Sequence, residues 1–129
     1  MTIAVSQSNA LGPLLAVANG CGRADIAGKL PALLATGWRA VLVELDALPE
    51  AFFLLLRRSE DTEEIHIASV PDFRGANLLR AFRLLCSYLY PTGIRRLRAG
   101  DMPTMQARIL AVAGGFKCTP TGKEIQVQP

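Results

Sequence analysis

The sixteen residues Glu64–Leu79, EIHIASVPDFRGANLL, constrain the fold more than any other part of the chain. An isoleucine-rich run gives way to Pro71 and then, past Gly75, to a leucine-rich run, which reads as a buried strand, a turn and a helix start. A strand feeding directly into a helix leaves the helix's first N–H groups without intrahelical acceptors. They aim beyond the strand's end, where an anion such as phosphate can sit. From Arg74 onward the pattern is amphipathic: Leu78, Phe82, Leu85 and Leu89 recur at spacings of four, three and four, while Arg80, Arg83 and Ser87 point elsewhere. One face packs on a sheet and the other meets water.

The flanking sequence supplies that sheet. Residues 2–5 read as a short first strand, Ser6 to Asn9 offer N-caps for a helix carrying Leu11, Leu14, Leu15 and Ala18, and Asp25 can cap a second helix with a stripe of Ile26, Leu30, Leu33 and Leu34. Pro31 lies within that stripe and predicts a kink or two short pieces. Trp38–Leu45 and Ala51–Arg58 read as a hairpin around a turn at residues 46–50, the second strand apolar enough to be covered on both faces. Ser59–Glu63 reads as an acidic loop and Ile65–Val70 as the third strand of this group. Past a turn at Tyr90–Gly93, Ile94–Ala99 is expected to lie parallel to the Ile65 strand, with the amphipathic helix as the crossover between them. Asp101 and Pro103 open a last helix bearing Met105, Ile109 and Val112, and Gly114-Gly115 ends it. A terminal hairpin follows over Phe116–Thr119 and Lys123–Val127.

At 129 residues, half of them hydrophobic and 19% charged, the chain suits one globular domain. The longest apolar stretch, Ala51–Leu56, is far below the ~20 residues of a membrane span. The first residues lack the basic start of a secretory signal, so a cytoplasmic location is expected. Cys21, Cys86 and Cys118 are odd in number and widely spaced, and His66 is the single histidine, which argues against a disulfide framework and against a zinc site. Cys86 borders the apolar helix face and reads as a buried thiol. The net charge of +3 is a mild excess with sparse aromatics, which argues against a nucleic-acid partner. In the densest basic stretch Arg96 and Arg98 share a strand face and Arg95 points away. These arginines read either as a solvated edge or as contacts for phosphates or an acidic partner.

Val70-Pro71-Asp72-Phe73-Arg74-Gly75, between an isoleucine-rich strand and a leucine-rich helix, resembles the acyl-CoA-binding segment of the GCN5-related N-acetyltransferase (GNAT) superfamily. The segment from Thr104 through Ala107, Leu110 and Ala111 to Gly115-Phe116 is similar to that family's C-terminal helix. With the strands around them the two segments span the C-terminal two-thirds of the chain. The resemblance implies an α/β (α+β) domain over residues 1–129: a mixed, mostly antiparallel central sheet with helices on both faces and a splayed parallel strand pair. It also implies acetyl-CoA held along Ser69 and Val70 and over Arg74, Gly75, Ala76 and Asn77, with an amine-bearing small molecule or protein as acceptor. The sequence departs from the family where small loop residues are usual, at Asn77 and Leu79, and has Thr104 and Ala111 in place of the usual asparagine and tyrosine. Two lost charge-assisted amide contacts cost roughly 3–6 kcal/mol. The resemblance therefore extends to a second reading: a catalytically inactive scaffold of bacteriophage type, a virion component or host-interaction factor with protein partners or copies of itself, located in the virion or the host cytoplasm.

Acetyl transfer to an amine needs a base for the ammonium proton. Glu64 and His66, two apart on one strand, share a face while Ile65 and Ile67 take the other, which makes the pair the candidate catalytic residues. The alternative is a solvated Glu64 at the strand entrance beside a partly buried, satisfied histidine. Arg74 and Gly75 keep the family's identities. Arg74 reads as a phosphate contact, a cap on the helix–sheet junction or a partner of Asp72.

Overall fold

The computed structural model describes residues 2–99, 117–119 and 122–127. Its seven strands are β1 (Ile3–Gln7), β2 (Arg39–Leu45), β3 (Leu48–Arg57), β4 (Thr62–Ser69), β5 (Arg96–Ala99), β6 (Lys117–Thr119) and β7 (Gly122–Gln126). They form one sheet in the order β1-β2-β3-β4-β5-β7-β6. All neighbours run antiparallel except β4 and β5, the expected parallel pair. Helices α1 (Leu11–Gly20) and α2 (Ala24–Ala35) lie on one face, and α3 (Ala76–Leu89) on the other. The expected last helix, with Asp101, Pro103, Thr104, Ala111, Gly115 and Phe116, lies outside the described residues. No described helix is long and apolar enough to cross a membrane.

Strand alternation explains the two layers. Val41, Val43, Ala51, Phe53, Leu55 and Ile65 face α3, where Leu78, Phe82, Leu85 and Leu89 complete a core; Phe53 and Phe82 meet edge to face at 6.3 Å. Ala40, Leu42, Phe52, Leu54 and Ala68 face α1 and α2, where they meet Leu14, Val17, Ala18 and Leu30. β3 is therefore covered on both sides, as its uninterrupted apolar run predicts. Cys86 is buried on α3, and Cys21 is half-buried with its thiol donating to the Ala18 carbonyl.

Several boundaries differ from the sequence reading. β1 extends to Gln7 and absorbs Ser6, so α1 begins after Ala10 with no side-chain cap. α2 runs unbroken through Pro31, and its N-cap is Arg23; Asp25 sits in the first turn, paired with Arg23 at 3.1 Å. The turn at residues 46–50 shrinks to Asp46-Ala47, both at positive φ (51° and 69°), the twist a two-residue hairpin turn needs. A bulge follows: Val43 pairs with Ala51 but Glu44 with Pro49, leaving Glu50 outside the β2–β3 register. Its carbonyl turns to the other side and accepts the Val70 N–H at 2.9 Å.

The acidic loop is also shorter than expected, because β4 starts at Thr62 rather than Ile65. Glu63 is 1% exposed and pairs with Arg39 of β2, whose side chain is 26% exposed. A carboxylate taken out of water needs such a partner. Arg39→Met is expected to lower unfolding free energy by about 2 kcal/mol, less than for a fully enclosed pair because Arg39 retains solvent. Urea denaturation checks this, and an unchanged midpoint would mean that the pair contributes nothing.

Candidate active site

Two features of β4 build the site. The first is its outer edge. β4 pairs with β5 over Thr62–Glu64 opposite Arg96–Arg98, then continues on that side to Ser69 with no partner among the described residues. On the β3 side, Arg58 N–H bonds the Thr62 carbonyl and Val70 N–H bonds that of Glu50, which fixes the alternation of the ladder. Residues 62, 64, 66, 68 and 70 direct their backbone groups to β3. Ile65, Ile67 and Ser69 direct theirs into the gap beside β5. That gap offers donors and acceptors at strand spacing to an extended ligand. Of the two strand-end residues expected to hold a cofactor, Ser69 turns its amide to the gap, whereas the Val70 amide is occupied by Glu50.

The second feature is the turn into α3. Val70–Phe73 is a β-turn closed by the Phe73 N–H on the Val70 carbonyl, with Pro71 at its second position, and Phe73 is buried as its anchor. Gly75 then adopts φ 61°, ψ −128°, a conformation that side chains resist. It therefore breaks the backbone from turn to helix, and α3 begins at Ala76 instead of Arg74. The first helical bond runs from Leu79 N–H to the Gly75 carbonyl, and among the described residues no side chain caps the helix. Ala76, Asn77 and Leu78 thus present N–H groups without helical acceptors, at the positive end of the helix dipole. Arg74 is exposed and has neither an ion pair with Asp72 nor another partner among the described residues. Leu79 packs its side chain against the α3-face core.

Glu64 and His66 come together as their spacing predicts, on the α1/α2 face with Ala68. His66 Nε2 lies 3.0 Å from Glu64 Oε2, and the other carboxylate oxygen accepts from Arg58 at 2.7 Å. Burial pushes the Glu64 carboxyl up, but the hydrogen bonds from Arg58 and His66 outweigh it and hold the carboxyl below the usual glutamate range. Such a carboxylate is a weak base and a good anchor. The His66 ring also stands edge-on to Trp38, with centroids 5.2 Å apart. It opens on a cleft of about 220 Å³ whose walls include Ile26, Lys29, Leu33, Trp38 and Leu54, with the Arg23–Asp25 pair at its rim.

The C-terminal end of α1 borders the end of β4. At Gly20 a side chain would meet Val70 Cγ1 at 3.1 Å, so the absence of one permits that approach. The sequence reading did not find Arg58, Trp38 or Lys29. A signal existed for Arg58, since a tight β3–β4 hairpin sets Arg57 and Arg58 among Glu63 and Glu64. The arginines near β5 have local partners: Arg96 binds Asp61 at 3.1 Å and lies 3.9 Å from Glu124, and Arg95 stacks on Tyr90 and donates to its carbonyl. The Arg96 hydrogen bond holds the Asp61 carboxyl low.

No family model matches the sequence, and no curated protein matches it. Solved structures do match the fold. A GNAT-family acetyltransferase from Staphylococcus aureus Mu50 superimposes with a TM-score of 0.73 at 10% identity, covering 98% of this chain and 100% of that one. The ribosomal-protein-S18-alanine N-acetyltransferase of Escherichia coli gives 0.71 at 16% identity, over 99% and 96% of the two chains. The Campylobacter jejuni N-acetyltransferase PseH, solved with acetyl coenzyme A, gives 0.68 at 11% identity, over 98% and 100%. Strand order, the parallel pair that parts beyond Glu64, and these superpositions together show that the chain has the fold of the GNAT acetyltransferases.

Proposed function

We propose that the protein is an acyl-CoA-dependent N-acyltransferase that moves an acetyl group from acetyl-CoA to an amine. The observation that carries this reading is the bare N-terminus of α3 lying directly beyond the open edge of β4. Together they match the two ends of one ligand: an extended amide-containing arm for the strand edge and a pyrophosphate for the helix N–H groups. Ala76, Asn77 and Leu78 hold the phosphates, Gly75 shapes the approach, Arg74 adds charge, and Ser69 directs its amide to the gap. Val70 contributes its position at the turn, since its own amide bonds Glu50. When bound, acetyl-CoA supplies a thioester carbonyl as the electrophile.

The acceptor amine approaches from the α1/α2 face. His66 takes its proton, directly or through one water, and Glu64 fixes the imidazole while Arg58 keeps Glu64 ionised. Trp38 limits the ring's rotation. An unprotonated amine then has its lone pair free for the carbonyl carbon. Calorimetric titration with acetyl-CoA, followed by an acceptor screen, tests the reading. Absence of binding at millimolar acetyl-CoA would leave a GNAT fold used as a protein-binding scaffold.

Arg58 gives a pH prediction. Because the Glu64 carboxyl is depressed in the folded protein, its stabilising contribution is complete above the ordinary glutamate value of 4.5 and is lost as pH falls through the depressed value. Arg58→Ala removes the main opposing influence on a partly buried carboxyl. The titration of the Glu64 carboxyl itself, followed by NMR, is expected to move to higher pH, by about one unit or less for so exposed a pair. A carboxyl titration that does not move would remove Arg58 as the group that keeps Glu64 ionised.

A further inference from the structure

We infer that the groove between β1 and α3 is a second binding site, which takes an extended acidic peptide as an added strand. β1 is the first strand of the sheet, and among the described residues nothing pairs with its outer side. Ser8 N–H bonds the Ala40 carbonyl and Asp46 N–H bonds that of Thr2, so the even-numbered residues of β1 face β2. Ile3, Val5 and Gln7 therefore turn three N–H and three C=O groups outward. Exposed edges normally carry a charge, a proline or a bulge that blocks pairing. Ile3–Gln7, IAVSQ, has no charge and no proline, and its register with β2 is regular along its length. The Tyr88 hydroxyl donates to Gln7 Oε1 at 3.3 Å and ties the strand to α3.

Beside this edge, Arg80, Arg83, Leu84 and Ser87 form one stripe of α3 and, with Ile3, line a groove of about 320 Å³. Leu84 is 39% exposed. Arg80 and Arg83 are exposed, and neither has an anionic partner among the described residues. A strand laid against β1 places alternate side chains over α3, where apolar ones meet Ile3 and Leu84 and carboxylates meet the two guanidinium groups. A second copy of this chain fits less well. Pairing β1 with β1 about a twofold axis sets the α3 helices side by side on one face and brings Arg83 toward Arg83, with no acid in the stripe to neutralise them.

The probe is an eight-residue peptide of alternating Val and Glu, blocked at both ends and fluorescein-labelled, followed by anisotropy with the intact protein. Saturable binding is expected, weakened about tenfold or more by the exposed double change Arg80→Glu with Arg83→Glu and by raised salt. Backbone N-methylation of the peptide at alternate residues is expected to abolish binding through loss of the edge hydrogen bonds. Acetyl-CoA titration of the double variant should match the unaltered protein, which separates this site from the β4 site. The inference is overturned by no saturation at millimolar peptide, by equal binding of a Val/Lys peptide, or by insensitivity to the arginine changes. It is equally overturned by a dimer in sedimentation that Val5→Lys converts to monomer.

Discussion

Gly75→Glu is expected to weaken acetyl-CoA binding by about two to four decades. The residue sits at φ 61°, ψ −128°, between the turn and the first residue of α3. Among the described residues nothing lies within 4 Å of a Cβ placed there, so the substitution meets no collision with them; its effect is on conformation and charge. Holding an L side chain in that region costs on the order of 1–3 kcal/mol, which the chain avoids by rotating the peptide units that aim Ala76, Asn77 and Leu78. Two misdirected charge-assisted hydrogen bonds are worth roughly 3–6 kcal/mol, and about 1.4 kcal/mol corresponds to each decade. The added carboxylate also repels a phosphate at the same point. Calorimetry measures the affinity and a thermal melt confirms that the fold survives. Binding equal to that of the unaltered protein would move the cofactor away from this helix end.

His66→Ala is expected to lower kcat by about 10²–10⁴-fold near neutral pH, the usual contribution of a positioned base. KM for acetyl-CoA should hardly change, because His66 lies on the α1/α2 face, apart from the strand edge and helix end assigned to the cofactor. The deficit should shrink as pH approaches the amine's own pKa, about 10 for an alkylamine, since the acceptor then arrives already deprotonated. That convergence distinguishes a proton acceptor from a residue that only shapes the cleft. Glu64→Gln should cost less than His66→Ala, because it removes the anchor and leaves the imidazole. A flat ratio of rates across the pH range would assign His66 to packing against Trp38.

The parts of the site that were legible in the sequence are those set by short-range pattern. Val70–Gly75 encodes its own turn: Pro71 suits the second position of a β-turn, Phe73 plugs the core, and Gly75 alone tolerates the break into the helix. The four-three-four spacing of Leu78, Phe82, Leu85 and Leu89 buried every one of those side chains. The two-residue spacing of Glu64 and His66 placed both on one face, since strand alternation needs no knowledge of the rest of the molecule.

What required tertiary structure is what lies opposite each residue. Periodicity gives a face but not a register, so Glu63 read as part of an acidic loop until β2 brought Arg39 to it from 24 residues away. Likewise Arg58, adjacent to an apolar strand in sequence, became the anchor of Glu64 through the hairpin. The Val70 amide was lost to a ligand because the β3–β4 ladder continues one step past the end of β4 and sets Glu50 opposite it. Asp46 and Ala47 took positive φ without a glycine, because the twist of the paired strands imposed it. By itself the sequence determined the strand–turn–helix, the helical stripe and the residues that share a face, all of which follow from neighbours within about two turns. Only the tertiary structure decided which charges are paired, which amides stay open and where the β4–β5 pair parts, because those depend on strands that meet across long stretches of chain.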